Sequence, residues 1–172
     1  MILFWIGSVL FLLFAFVVFF GAPYVPSKKG EAKRALDELY RLGSEDVLID
    51  IGSGDGVILR IAAERGARAV GYEINPILVL ISRWMSRSMP NVEVRFKNFW
   101  HETFPRDTTV VYVFGDSRDI GNMVKKIQDS ATELGRPLWL ISYAIEAPHL
   151  EPKKKLGAHF LYEIEPLQIT AA

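Results

Sequence analysis

The chain has 172 residues, no cysteine, and 20 basic against 20 acidic side chains. That length suits one domain of ordinary size. The balanced charge gives no global field that would point to nucleic acid, and the missing cysteine fits a reducing compartment.

Half of the residues are hydrophobic, and the N-terminus accounts for much of the excess. Residues 1–22 carry no charged side chain and are dense in Phe, Leu, Val and Ile. As a helix they would span roughly 33 Å, the thickness of a hydrocarbon core. A cleaved signal peptide would have a basic start and a small-residue cleavage site, yet no Lys or Arg precedes Lys28. A core helix would not be apolar on every face. The expectation is one transmembrane helix over residues 1–22. Lys28, Lys29, Lys33 and Arg34 follow it, which is expected to put the rest of the chain on the cytoplasmic side, or in the equivalent organelle interior, of a single-pass membrane protein.

Pro23 and Pro26 make a stiff exit. A helix is predicted over residues 28–41, with Ala32, Ala35, Leu36 and Leu39 on one face and Gly43 as its stop. Residues 23–43 thus form a juxtamembrane linker and helix, and residues 44–172 the main domain. There the pattern alternates. Strands are expected at 47–51, 69–72, 92–96, 110–114, 138–143 and 160–164, with a short seventh at 167–170. Helices are expected at 57–65, at 77–87 after the Asn75-Pro76 cap, and at 119–134. The helix 77–87 is apolar at Ile77, Leu80, Ile81 and Trp84, a face expected to lie on the sheet. This is a doubly wound α/β sheet, mainly parallel, with an abbreviated C-terminal edge.

The loop DIGSGDG, residues 50–56, follows the first strand. In an open α/β sheet that is the ligand crevice. A phosphate-cradling P-loop needs a Lys-[Ser/Thr] that is absent here. A dinucleotide loop wants G-x-G-x-x-G, whereas the third glycine, Gly56, comes one residue early; a variant of that pattern stays open. Asp50 before the glycines and Glu73 at the end of the second strand complete a different pattern. D-x-G-x-G-x-G with a later acid resembles the class I S-adenosylmethionine-dependent methyltransferases, and so implies a Rossmann-like methyltransferase fold. The resemblance implies that Asp50, Gly52, Ser53, Gly54, Glu73, Asn98 and Phe99 contact S-adenosyl-L-methionine. Asp50 would fix the methionyl ammonium, and Glu73 would accept from both ribose hydroxyls. Asn98 would reach the adenine amine, with Phe99 or Trp100 against the ring.

The apolar N-terminus, the YVPS exit, DIGSGDG and GYEINP together resemble the small membrane-anchored protein-lysine methyltransferases, whose members modify the ATP synthase c-subunit and the adenine nucleotide translocase. The match runs from Pro23 to about Trp100 and weakens from Val110. It implies methyl transfer to lysine of a membrane-associated protein. The candidate catalytic residues are Asp116, in FGDS after the fourth strand, and Tyr143, at the end of the fifth. A helix cap is the alternative role for Asp116. A small-molecule or lipid methyltransferase and a non-catalytic cofactor-binding scaffold stay open beside the lysine reading. His101, His149 and His159 lack metal-ligand spacing, so no metal is expected. Lys153–Lys155 read as a solvated loop.

Overall fold

The strands that are apolar on both faces should lie in the middle of a sheet covered on both sides. In the computed structural model, which describes residues 1, 4–5, 7–8, 29–114 and 119–167, β1 (Val47–Ile51) is buried at every position and pairs with β4 (Val110–Phe114) at the centre. β2 (Arg68–Glu73) and then β3 (Val92–Phe96) extend the sheet on one side. β5 (Leu138–Tyr143) extends it on the other. These five strands are parallel. The remaining two, β6 (Lys154–Leu156) and β7 (His159–Ile164), form a hairpin whose second strand runs antiparallel to β5. The order is β3-β2-β1-β4-β5-β7-β6.

The far edge is therefore complete rather than abbreviated, and the sheet is mixed. Lys154 and Lys155 lie in its outermost strand, not in a loop. Edge strands tolerate such charge because one face and one backbone edge meet water. Of the expected strand at 167–170, Leu167 is irregular and the rest lies outside the described residues.

Helix α1 (Lys29–Arg34) continues into a π turn (Ala35–Leu39) and buries Ala32, Ala35, Leu36 and Leu39, the four positions its spacing selects. It ends at Arg41, whose φ is 62°, not at Gly43. The wide last turn lets Leu42 N–H donate to the Leu36 carbonyl, at 2.8 Å. Gly43 N–H is instead held by Asp46 Oδ2 at 2.9 Å. Helices α2 (Val57–Ala63) and α3 (Pro76–Met85) join α1 on one face of the sheet, around Leu48, Ala69 and Tyr112. Helix α4 (Ile120–Leu134) covers the other face, around Ile49, Val111 and Leu140.

The expectation of a transmembrane helix ahead of the sheet is corrected. Among the described residues no helix is long and apolar enough to cross a membrane. The helix leading into β1 is short and carries Lys29, Glu31, Lys33 and Arg34. Most of the segment 1–22 lies outside the described residues.

A second correction concerns α3. Its apolar stripe faces outward, with Leu80 and Trp84 each 66% exposed and Ile81 40%. The helix seats itself through Val79, Ser82 and Ser86. Small side chains are needed there because the glycine loop comes so close. A Cβ built on Gly56 would lie 2.1 Å from Ser82 Oγ and 3.2 Å from its Cβ. Proximity to the loop, not apolar area, decides which face of α3 turns inward.

Two truncations separate these environments. Trp84→Ala is expected to change the unfolding free energy by no more than about 0.5 kcal/mol, as for an ordinary surface change. Ile61→Ala, in the α1 face of the core, should cost about 2–5 kcal/mol. Urea unfolding measures both, and a multi-kcal/mol loss for Trp84→Ala would contradict the outward placement.

Candidate active site

Strand order reverses between β1 and β4, which opens a crevice at their carboxyl ends. The glycine loop lies there. Gly52 N–H and Ser53 N–H both donate to the Tyr72 carbonyl, at 2.9 and 3.1 Å, so the loop curls back over β2. Ser53 presses on that strand: a Cβ on Gly71 would lie 2.5 Å from Ser53 Oγ and 2.6 Å from Leu59 Cδ1. Gly56 N–H then donates to the Ser53 carbonyl at 2.8 Å. Asp55 Oδ1 accepts from Val57 N–H at 3.1 Å and starts α2. Gly52, Gly54 and Gly56 have φ of 73°, 56° and 79°. Every second residue is left-handed, where a side chain is strained. This explains why the third glycine sits one place earlier than in a dinucleotide loop.

Glu73 ties this loop to the end of β2. Its Oε2 accepts from Gly54 N–H at 2.9 Å, and its Oε1 accepts from Ile74 and Asn75 N–H at 2.8 and 2.7 Å. A carboxylate has about four acceptor positions. Three are used here, which leaves one on Oε2 for a ligand hydroxyl.

Asp50 is 3% exposed, between Gly71 of β2 and Tyr112 of β4 in register. Its Oδ2 has no hydrogen-bond partner among the described residues, and neither has Ser53 Oγ. Burial first, then the nearby charges of Glu73 and Asp55, push the Asp50 carboxyl up to about 8. A buried carboxyl without a partner is costly unless a ligand supplies one. A ligand cation would restore its charge.

Lys97 N–H donates to the Glu73 carbonyl at 3.1 Å, so the segment after β3 runs beside Glu73. Asn98 Oδ1 accepts from Trp100 N–H at 3.2 Å and caps a 3₁₀ turn, Phe99–His101. The oxygen expected to meet an adenine amine thus already holds the turn. Phe99 is half-buried against the core, and its ring centroid lies 4.3 Å from that of Trp100. Of the two candidate walls, Trp100 is the exposed one.

Tyr143 lies two strands from β1, at the end of β5, and its hydroxyl donates to Glu31 Oε2 of α1 at 3.2 Å. Asp116 falls in residues 115–118, outside the described residues. Two nearby groups escaped the sequence reading. Glu31 lies in no motif, and His159 is one of three scattered histidines. His159 is 2% exposed, and its Nε2 lies 3.0 Å from the Tyr112 hydroxyl. Among the described residues no cluster of His, Cys, Asp or Glu is arranged to hold a metal.

An unpartnered carboxyl at one end of the loop, an open backbone at Gly52 and an anchored carboxylate at the other end fit S-adenosyl-L-methionine, which carries an ammonium and a ribose. Fold and loop together define a Rossmann-like methyltransferase domain. The chain belongs to the family of the ANTKMT methyltransferase domain, whose pattern matches residues 50–154. The ATP synthase C-subunit lysine N-methyltransferase of Xenopus laevis is 37% identical over 139 residues, 78% of this chain and 58% of that protein. The protein of the same name from Homo sapiens is 33% identical over 139 residues, 78% of this chain and 57% of its own length. The chain thus spans little more than half the length of these curated relatives. Among solved structures, an RNA methyltransferase from Salinibacter ruber in complex with S-adenosyl-L-homocysteine superposes with a TM-score of 0.68 at 26% identity. The superposition covers 82% of this chain and 94% of that one.

Glu73→Gln keeps the shape but turns a donor amide toward backbone N–H groups. The cofactor-free protein should lose about 1–3 kcal/mol of stability from broken charge-assisted hydrogen bonds. Urea unfolding measures it, and an unchanged midpoint would show that the carboxylate does not hold the loop.

Proposed function

We propose that this chain is an S-adenosyl-L-methionine-dependent methyltransferase acting on lysine side chains of a protein. The observation that carries the cofactor assignment is the buried, unpartnered Asp50 carboxyl beside a left-handed glycine loop that Glu73 anchors. The lysine assignment is supported by the likeness to lysine N-methyltransferases over most of this chain. A nucleic-acid substrate finds no support in a net charge of zero.

The sulfonium supplies an activated methyl group when the cofactor is bound. The protein's task is to bind, orient and exclude water. Asp50 would hold the methionyl ammonium, and the backbone at Gly52 and Ser53 would take the amino-acid end. Glu73 offers its remaining Oε2 position to one ribose hydroxyl; a second contact requires one of the backbone N–H groups to let go. Phe99 or Trp100 would supply the wall against the adenine ring, with Asn98 shaping their turn. The lysine nitrogen needs a free electron pair to attack, so a nearby group must take or hold its proton. Tyr143 and Asp116 are the residues we assign to that role.

The label test uses methyl-labelled S-adenosyl-L-methionine, the full chain, and the purified ATP synthase c-subunit as probe substrate, with total RNA and total lipid in parallel. The expected outcome is label recovered as methyllysine after acid hydrolysis of the protein. Label confined to RNA or to lipid would overturn the lysine assignment.

Asp50 generates a second expectation. Its raised pKa keeps the carboxyl protonated in the free protein below about pH 8, whereas a bound ammonium favours the carboxylate. Cofactor binding at pH 7 should therefore release a proton. Calorimetry in two buffers of different ionisation enthalpy should give different binding heats for the wild type and closely matching heats for Asp50→Asn. Matching wild-type heats in both buffers would contradict the ammonium role.

A further inference from the structure

Residues 74–92 contain Arg83 and Arg87 and no acidic side chain. Within them lies α3, whose outward stripe of Leu80, Ile81, Trp84 and Met85 is left exposed by the rest of the described fold. Two more apolar side chains extend that stripe. Ile74, in the turn before α3, is 47% exposed, and Phe96, at the end of β3, is 55% exposed. Side chains alternate along a strand. Val94 packs in the same core cluster as Val79 of α3, so Phe96, two residues on, stands on the same face of the sheet as the helix. Phe96 is also the register partner of Glu73. The apolar surface therefore reaches from Trp84 to the strand end where Glu73 anchors the glycine loop.

The charges at its margin select what covers it. Arg83 donates from Nε and Nη2 to the Val94 carbonyl, at 3.1 and 2.8 Å, which holds its cation beside β3. Arg87 donates to the Trp84 carbonyl at 2.9 Å, and its guanidinium lies 4.9 Å from the centroid of the Trp84 ring. Neither arginine has an acidic partner among the described residues; Glu93, the next acid along the chain, is paired with Arg68 and Arg95. Apolar area, an exposed tryptophan and unpaired arginines on one short helix suit a membrane interface, with the apolar side chains in the acyl boundary and the cations at anionic headgroups. A second copy of the chain fits less well. A two-fold contact would set this face against itself, with arginines on both sides and an acid on neither.

We propose that α3, with Ile74 and Phe96, docks this domain on an anionic lipid surface. The helix lies flat. Its ten residues measure about 15 Å, half the thickness of a hydrocarbon core, so it rests in the interface and does not cross. Leu80 and Trp84 enter the acyl boundary, and Arg83 and Arg87 meet phosphate oxygens. Docking in this way turns the Glu73 end of the crevice toward the headgroups. The surface lies outside the cofactor contacts, and its role holds whichever substrate accepts the methyl group.

The chain has no cysteine, so Leu80→Cys supplies a single site for a nitroxide label. Leu80 points outward, and its replacement leaves the core untouched. The control is Lys125→Cys, exposed on α4 against the other face of the sheet. The full chain carrying either label is mixed with vesicles of equal parts phosphatidylcholine and phosphatidylglycerol. The label at position 80 should become accessible to dissolved oxygen and shielded from a water-soluble nickel complex, while the label at position 125 stays in water. Arg87→Gln in the Leu80→Cys background should lower the ratio of inserted to uninserted label about fivefold, as for one cation near an anionic surface. A label at position 80 that stays in water, even on chains held to the vesicle by another segment, would overturn the docking face, as would equal insertion at position 125. An unchanged ratio in Arg87→Gln would overturn the anionic lipid as partner. Spin–spin broadening at position 80 without vesicles would assign the face to a second copy instead.

Discussion

The Glu73 carboxylate is the constraint on which the rest of the site depends. One side chain holds the N–H groups of Gly54, Ile74 and Asn75. It therefore joins the loop after β1 to the turn before α3. Asn75 then caps that helix, its Oδ1 accepting from Ile77 and Leu78 N–H. The loop in turn presses Ser53 on Gly71 and Gly56 on Ser82. This is why β2 has a glycine in its interior and α3 has a serine where an apolar residue would be expected. Left-handed backbone at three glycines is strained for any other residue, and it persists because this network over-determines it.

Around that frame the site divides into two halves. The loop side, from Asp50 to Glu73 and on to Phe99, presents one carboxyl that lacks a partner and one that is nearly saturated. That asymmetry suits a ligand with a cation at one end and hydroxyls further along. The β4–β5–β7 side carries the rings of Phe114, Tyr143 and His159, with the Glu31 carboxylate on the Tyr143 hydroxyl. The two halves adjoin at the carboxyl ends of β1 and β4, the switch point at which a sheet of this kind takes its ligand.

Much of this was legible in the sequence, for identifiable reasons. The strands announced themselves because buried parallel strands are continuously apolar. The cofactor loop was legible because left-handed positions leave glycines at fixed spacing, and Glu73 because a strand end fixes its distance from Asp50. The Asn75 cap was visible because a proline follows it. What stayed hidden depended on contacts between distant segments. The stripe of Leu80, Ile81 and Trp84 has the period of a buried face, yet it points outward because Ser82 must meet Gly56. The hairpin that completes the sheet was obscured by the lysines in β6. His159 and Glu31 are separated by 128 positions in the chain; the pairing of β7 with β5 brings the first to Tyr143, and the packing of α1 brings the second. The apolar N-terminus reads as a spanning segment by composition, but among the described residues no helix is long and apolar enough to cross a membrane.

The glycine loop is built for a cofactor with an ammonium and a ribose, not for a dinucleotide. Isothermal titration of the full chain with S-adenosyl-L-homocysteine and, separately, with NAD tests it most directly. Micromolar binding of the first with no detectable binding of the second is the expected result. Binding of NAD, or no binding of S-adenosyl-L-homocysteine, would contradict it.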